Sequence, residues 1–541
     1  MTSLAKILAA IAIAVGTFFA ARAAYLGYEF LRPAQFWDQL HSVGVYLAWL
    51  NGDYHVSQFW SFHNEHRILI PRLMSLIDAV YFDFSNRFLI TSIYLGLFAV
   101  TLILAMLALK ARTFSRITMM TMALLGIGWN IAQHENLTWG FQTAFILVYL
   151  FAFACFLCFA QMLATVSLWR QALWFALACV ADALGMLSSA GGVLIGIAAP
   201  SMCLPARAWS RWVVAFIAVH LTAMGRYFID MPSHPGSYGA TLLENVQYFL
   251  YCLGSIARTR PSAAALVGLA LLSIIALLTL GALREAKGRC ASILFALIVF
   301  VVIETAATTV GRAGLGVDQA LSSRYATQSA ILVMGVLALC WRSVSNPLGR
   351  CATIAATILV TLLANGNRNI REMEDDIGIR DSAMFSFING VYAPNQTSKI
   401  YADTRLVERE YGKLAELRKG PFALSATVYR PPLNSLASFD IRKLPDCRAQ
   451  IDATTHYDTW SEIWGWIDAS GWVLAYSDSG RLIGYTTSTI RRPDVALALS
   501  LPSDRLGFDL FLNKARIGND SVKLIALAGA QPTACVLTMK P

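Results

Sequence analysis

Long apolar runs separated by short polar loops fill most of the first 366 residues of this 541-residue chain. A run of about 20 apolar residues can cross the hydrocarbon core of a bilayer as a helix, because a helix satisfies its backbone hydrogen bonds internally. We count about eleven such runs by length and hydropathy. They lie near 4–24, 88–109, 117–133, 141–163, 171–188, 190–204, 212–228, 262–283, 291–311, 327–341 and 351–366. The sequence therefore predicts a mainly α, polytopic membrane protein.

The short loops between these runs are alternately rich and poor in basic residues. Those rich in Lys and Arg lie near 110–116, 170, 207–211, 284–289 and 342–350. Because cytoplasmic loops are enriched in these residues, the pattern places the amino terminus in the cytoplasm. An odd number of spans then exports the first loop, 25–87, and the tail from residue 367. The net charge of +10 follows from this topology, and we expect no nucleic-acid partner.

The tail changes character near residue 445. Residues 367–444 carry charged and apolar residues at helical spacing, interrupted by prolines, which predicts an exported helical connector after a membrane domain at 1–366. Residues 445–541 instead contain short alternating runs separated by turns, which predict a compact antiparallel β-sandwich. The predicted strands are 462–467, 472–476, 482–486, 507–512, 522–528 and 533–539.

Cysteines and tryptophans of the tail suggest two further features. Cys447 and Cys535 bracket the predicted sandwich, and an oxidising compartment permits a disulfide between them. The segments 471–484, 492–495 and 507–508 resemble the small β-sandwich modules attached to bacterial surface-carbohydrate proteins. Such a module implies either that its tryptophans form a sugar-stacking platform or that they pack the core. These tryptophans are Trp460, Trp464, Trp466 and Trp472.

Three clusters of polar residues lie where the topology predicts the exported face. The first loop contains His63, Asn64, Glu65, His66 and Arg67; a second turn contains His134, Glu135, Asn136 and Gln142; a third contains Arg312, Arg324 and Tyr325. Such groups are costly beside a membrane unless they pair with one another or meet a polar ligand. Arginine suits phosphate because its planar fork donates two parallel hydrogen bonds. The alternative is that these charges face lipid headgroups.

A metal site and a proton pathway are two other uses of these polar residues. The histidines and acids of the first two clusters could bind a metal, but no His-x-x-x-His spacing occurs, and we expect no metal or cofactor. Asp182 and Glu304, in or near predicted spans, would suit a proton relay. The exported loop 229–261, with His234, Arg258 and Arg260, predicts a re-entrant or interfacial helix or a headgroup contact.

The layout resembles the C-type (GT-C) integral-membrane glycosyltransferases. The resemblance rests on Asp38 in the segment 36–39, on the segment 63–67, on the predicted spans and on the exported carboxy-terminal domain. The family often has a carboxylate pair in the first loop, whereas Asp38 and Asp53 are far apart here. The resemblance implies a bacterial inner-membrane enzyme that transfers a sugar from a polyprenyl-phosphate carrier to an envelope glycan or lipid, such as lipopolysaccharide or capsule.

The resemblance also implies roles for individual residues. Asp38 would take the proton of the acceptor hydroxyl, with Glu65 as the alternative base. The leaving phosphate would be stabilised by His66, Arg67, Arg312 and Arg324. The sugars would be oriented by residues of the second turn, His134, Glu135, Asn136 and Gln142.

Three other functions are compatible with the sequence. A transporter or flippase of lipid-linked glycans would place intramembrane charges at matched positions of two halves, yet the chain has no evident repeat and its polar clusters favour one face. A polymerase or ligase of lipid-linked glycans would use a larger exported loop than 229–261. A structural anchor for the sandwich would have no need of the polar clusters.

Overall fold

The chain is mainly helical, with a small sheet region near its carboxyl end, in the computed structural model. This confirms the mainly α class. The structure describes residues 3–206, 209–232, 239–284, 288–433, 444–468, 471–518, 521–528 and 533–537. The chain divides into two compact units. The first comprises 1–31, 51–77 and 87–371, and the second comprises 32–50, 78–86 and 372–541.

The described α-helices up to residue 364 are α1 Ser3–Glu29, α2 His41–Leu50, α3 Val56–Trp60, α4 Leu69–Tyr81, α5 Arg87–Ala108, α6 Phe114–Gly128, α7 His134–Thr138, α8 Thr143–Ala164, α9 Leu168–Met186, α10 Ile195–Ala198, α11 Cys203–Ala206, α12 Arg211–Tyr227, α13 Leu242–Leu253, α14 Pro261–Arg284, α15 Arg289–Arg312, α16 Ala326–Ser343 and α17 Pro347–Ala364. The later helices are α18 Asn367–Ile388, α19 Pro394–Ile400, α20 Thr404–Leu417, α21 Pro493–Leu499 and α22 Lys514–Ile517.

Seven helical segments of the described chain are long and apolar enough to cross a membrane. They are Ser3–Glu29, Arg87–Ala108, Gly140–Ala164, Pro261–Leu280, Arg289–Leu315, Ser323–Ser343 and Pro347–Ile388. Two shorter apolar segments, Phe114–Gly128 and Ala190–Met202, match the predicted runs at 117–133 and 190–204. The runs at 171–188 and 212–228 form α9 and α12, which fall outside both groups. A membrane protein is therefore supported, while the count of eleven spans stays a prediction.

Small residues allow the apolar helices of the first unit to approach closely. Gly16 of α1 faces α6, where an added Cβ would lie 2.3 Å from the carbonyl oxygen of Met122. Gly126 of α6 faces back, and its added Cβ would lie 2.9 Å from the Cα of Gly16. Without a hydrophobic effect between helices in lipid, packing at such contacts holds helices together. A side chain at either glycine would separate α1 from α6.

Three buried threonine hydroxyls inside the apolar helices are satisfied within their own helix. The Oγ1 atoms of Thr101, Thr305 and Thr361 donate to the carbonyl oxygen four residues earlier, at 2.8 Å in each case. This bond removes the cost of a bare hydroxyl in an apolar environment. These threonines therefore fit helices surrounded by lipid and by other apolar helices.

In the second unit, a buried ion pair joins the start of the first loop to α18. Arg32 Nε donates to Asp381 Oδ1 at 2.8 Å, and the hydroxyl of Tyr429 donates to the same oxygen at 2.9 Å. A buried carboxylate needs such partners, because an unpaired charge costs several kcal/mol. This network attaches residues 32–50 to the helices of the predicted connector.

The described strands form one hairpin and two larger sheets. They are β1 Phe62–His63, β2 His66–Arg67, β3 Ala449–His456, β4 Trp460–Ile467, β5 Gly471–Ser477, β6 Leu482–Thr487, β7 Ile490–Arg491, β8 Arg505–Asn513, β9 Val522–Ala528 and β10 Thr533–Leu537. The two four-stranded sheets have the orders β10-β9-β5-β6 and β3-β4-β8-β7, with antiparallel neighbours.

The six predicted strands correspond to β4, β5, β6, β8, β9 and β10, apart from 538–539, which lie outside the described residues. Apolar residues of both sheets, such as Ile463, Val473 and Leu510, pack into one core. Beside this core, Cys447 and Cys535 form a disulfide with a Cα–Cα distance of 5.0 Å. The arrangement is that of two sheets packed face to face.

Candidate functional site

A tight hairpin presents Glu65 at its tip. Strands β1 and β2 pair Phe62 with Arg67 and His63 with His66, so Asn64 and Glu65 form a two-residue turn. Asn64 has a φ of 52°, in the left-handed region, which asparagine tolerates better than most residues. The turn therefore depends on the asparagine in the predicted cluster and fixes the position of its acid.

Glu65 lies between a guanidinium and an imidazole. The guanidinium of Arg312, which ends α15, donates to Glu65 Oε1 although the two residues are 247 positions apart. His66 Nε2 is 3.5 Å from the same oxygen, while His66 Nδ1 accepts a hydrogen bond from the backbone N–H of Ala190 at 3.1 Å. Burial by itself raises the pKa of Glu65, but the neighbouring His66 and Arg312 together lower this pKa by a larger amount, so it lies below its ordinary value. The carboxylate is therefore ionised at neutral pH.

Arg67 is buried and its donors are occupied by backbone carbonyls. Its Nε donates to the oxygen of Tyr227 at 2.9 Å and its Nη2 to the oxygen of Ile229 at 2.7 Å. Its Nη1 donates to the oxygen of Trp60, and the guanidinium lies 3.9 Å from the ring centroid of Phe62. Arg67 therefore fastens the hairpin to the end of α12, a role that the sequence analysis did not foresee.

A second cluster joins α7 to the segment before α16. Ser323 Oγ donates to Glu135 Oε2 at 2.7 Å, and the backbone N–H of Arg324 donates to the same oxygen at 3.1 Å. Asn136 Nδ2 donates to the carbonyl of Arg324 at 2.8 Å and to Thr327 Oγ1 at 2.6 Å. Residues predicted separately for the second and third clusters are thus brought together.

The other predicted site residues of the first unit lie in the hairpin and in the segments of the second cluster. His63 is buried with its ring centroid 5.5 Å from that of Phe141. His134 and Gln142 are buried at the ends of the 134–142 segment, and Tyr325 is half-buried beside Arg324. Among the residues that the structure describes, no group of three or more His, Cys, Asp or Glu side chains is arranged to hold a metal ion.

Asp38 belongs to the second compact unit, whereas Glu65 belongs to the first. Asp38 lies in a short 3-10 helix, Trp37–Leu40, and Trp37 at its start has a φ of 47°. A left-handed backbone at a bulky residue costs about 1–3 kcal/mol and is found most often at functional sites. The Trp37 ring lies edge-on to Tyr401, with centroids 6.1 Å apart.

The surroundings of Asp38 include two residues that the sequence analysis missed. His41 Nε2 is 3.1 Å from the Tyr401 hydroxyl. Burial raises the pKa of Tyr401, and the charge of Asp38 raises it further. Because His41 and Tyr401 are 360 residues apart, no local pattern could associate them.

Two buried polar pairs occur within the predicted spans. His220 Nδ1 lies 2.8 Å from Asp182 Oδ2, and both side chains are almost fully buried. The hydroxyl of Tyr149 donates to Glu304 Oε2 at 2.9 Å. Each acid therefore has a partner that can share a proton with it, as an intramembrane acid requires.

The predicted exported loop at 229–261 contains a capped helix. Thr241 caps α13, and the Glu244 side chain accepts from the Thr241 backbone N–H at 2.7 Å in a capping box. Arg258 Nε donates to the carbonyl of Leu321 at 2.6 Å, and Arg260 is exposed. His234 lies outside the described residues.

No protein-family model, no curated protein sequence and no solved structure matches the chain. Its function is therefore inferred from the chemistry of these side chains and from the resemblance noted above.

Proposed function

We propose that the protein is a GT-C-type glycosyltransferase that moves a sugar from a polyprenyl-phosphate carrier to an exported envelope glycan or lipid. The observation that carries this proposal is the Glu65–His66–Arg312 cluster. Its arginine is a third exposed and its carboxylate a quarter exposed, and the arginine comes from the end of an apolar segment, Arg289–Leu315. A guanidinium held in this way can exchange a carboxylate for a lipid-linked phosphate.

In this proposal the acceptor hydroxyl attacks the anomeric carbon of the donor sugar. The new bond joins the acceptor oxygen to this carbon, the bond from this carbon to the carrier phosphate oxygen breaks, and the phosphate leaves with the electron pair. The resemblance assigns Asp38 as the general base that takes the hydroxyl proton. Arg312, His66 and Arg324 stabilise the leaving phosphate, and Arg67 positions the hairpin instead of binding phosphate.

Other assignments complete the proposal. Glu65 is ionised and paired, so it holds Arg312 in place before the donor binds; it remains the alternative base. The second cluster, with His134, Glu135, Asn136, Gln142 and Tyr325, orients the sugars. The strained backbone at Trp37 supports Asp38 as the base, because strain of this kind is retained where function requires it.

The proposed location is the bacterial inner membrane. The basic loops support an amino terminus in the cytoplasm. The disulfide between Cys447 and Cys535 supports an oxidising, periplasmic environment for the second unit. An exported acceptor and a donor presented at the exported face would then meet on the same side of the membrane.

A second candidate is a proton-coupled transporter or flippase of lipid-linked glycans. The buried Asp182–His220 and Glu304–Tyr149 pairs favour it, because paired acids within spans often relay protons. Such a protein would need these pairs for turnover and would tolerate the loss of a base at Asp38.

The test is mass spectrometry of envelope glycans from a bacterial strain that lacks the gene, complemented with wild type, Asp38→Asn, Asp53→Asn or Asp182→Asn. Asp53 is an exposed acid of the same loop and serves as the matched control. We expect one sugar to be lost in the deletion strain and in Asp38→Asn and to be retained in Asp53→Asn. A full glycan in Asp38→Asn, with loss in Asp182→Asn, would favour transport; an unchanged glycan in the deletion strain would refute both functions.

A further inference from the structure

The sheet formed by β3, β4, β8 and β7 exposes a tryptophan at its centre. Along β4, Ile463, Gly465 and Ile467 are buried, while Trp464 and Trp466 point to the opposite face, as alternation along a strand requires. Trp464 is 47% exposed. Together with the half-buried Trp466 two residues away, this exposed indole forms a continuous aromatic surface on the face, and such a surface can serve as a contact site.

Two of the four tryptophans suggested as a platform are instead packing residues. Trp460 stacks on Tyr457, with ring centroids 3.7 Å apart. Trp472, on the other sheet, packs edge-on against Phe385 with centroids 5.7 Å apart. Neither Trp464 nor Trp466 has an aromatic partner among the described residues. The platform therefore reduces to these two indoles.

Hydrogen-bonding groups border one end of this platform. Asp509 of β8 lies directly across from Trp464 in the strand register, and such cross-strand neighbours lie about 5 Å apart on the same face. Gln396 Nε2 approaches Asp509 Oδ2 at 3.5 Å, and Lys399 Nζ donates to Gln396 Oε1 at 2.9 Å. Burial lowers the pKa of Lys399, although the nearby carboxylates Asp509 and Glu462 oppose this.

The guanidinium of Arg492 borders the other end of the platform, beside Trp466. Gly507 lies across from Trp466, and a Cβ there would lie 3.1 Å from the Cγ atom of Arg492, so the glycine leaves room for this side chain. The Arg492 guanidinium pairs with Asp494 at 2.8 Å and also with Asp452. Lys399 and Arg492 are thus each surrounded by acids, and the acids named on this face outnumber these two cations.

We propose that this face binds a glycan, with Trp464 and Trp466 stacking on pyranose rings and the flanking carboxylates, amide and guanidinium bonding to sugar hydroxyls. The apolar faces of pyranoses match indole rings, and planar polar side chains offer paired donors and acceptors to hydroxyl groups. Because acids already pair with these cations and outnumber them, the face favours a neutral glycan over an anionic polymer. This function goes beyond sugar transfer, because it requires no donor and no reaction.

The test is binding of the full-length protein in nanodiscs to an array of neutral bacterial polysaccharides and their oligosaccharide fragments. We expect wild type to bind at least one of them, Trp464→Ala to weaken that binding about tenfold, and Trp464→Phe to retain most of it. Leu497→Ala is the matched control, because Leu497 is an 84% exposed apolar residue of the same domain. Equal thermal unfolding midpoints for the variants would exclude misfolding as the cause.

Three results would overturn the proposal: no binding by wild type to any member of the array, unchanged binding by Trp464→Ala, or binding of the tryptophan face to protein-free liposomes in place of glycans. The Asp38→Asn protein separates this proposal from the transferase. It should bind the array as wild type does even if it transfers no sugar.

Discussion

Loss of the disulfide between Cys447 and Cys535 should strongly destabilise the β-sandwich of residues 445–541, here called the β domain. The two residues are 88 positions apart and enclose nearly all strands of the two large sheets. A chain-entropy calculation for a loop of this length gives about 4.6 kcal/mol at 25 °C, and removal of native disulfides typically costs about 2–5 kcal/mol. The double substitution Cys447→Ser and Cys535→Ser leaves no unpaired thiol at this position.

Pulse proteolysis in urea, with a carboxy-terminal tag, would measure the unfolding of this domain in the full-length protein. With an m-value of about 1.5 kcal/mol per M for a domain of this size, a loss of about 4 kcal/mol lowers the urea midpoint by about 3 M. Dithiothreitol should lower the wild-type midpoint by the same amount and leave the double variant unchanged. Cys351→Ser, which removes a free half-buried cysteine, is the control. A shift below about 0.5 M would refute the reasoning.

Two further substitutions test electrostatics and packing. Burial and the neighbouring Glu462 raise the pKa of Asp509 to about 7. The contribution of the protonated Asp509 to folding stability is therefore complete at low pH and is lost as pH rises through 7. Wild type should lose stability to urea between pH 5 and pH 8, and Asp509→Asn should lose less. Arg67→Met should lower stability in detergent by about 3 kcal/mol, because buried carbonyls lose their donors, whereas exposed Arg226→Met should change it little; equal thermal unfolding of these two variants would contradict the packing role.

Much of the architecture could be predicted because its signals are local. Apolar runs indicate helices through their length, and alternation indicates strands through a period of two. The six predicted strands are present for this reason. β3, Ala449–His456, was missed although Ala449, Ile451 and Ala453 alternate with polar residues, because only one of these apolar side chains is large.

The candidate site was harder to predict because its contacts are distant in sequence. The polar clusters could be recognised locally, since charged and amide residues concentrate near predicted spans. Glu65 pairs with Arg312, whereas Arg67 donates its hydrogen bonds to backbone carbonyls. Both outcomes follow from the packing of α12 and α15 around the hairpin. The same types of residue at the same spacing would permit either role.

The sequence by itself determined where the apolar helices and the strands lie, which tryptophans share a face of β4, and which residues could carry chemistry. These are properties of short segments, and their periodicity is enforced by backbone hydrogen bonding. Only the tertiary structure decided which acids pair with which cations, which indole stays exposed, and that Asp38 lies near His41 and Tyr401. Those outcomes depend on the packing of residues hundreds of positions apart, which no local pattern encodes.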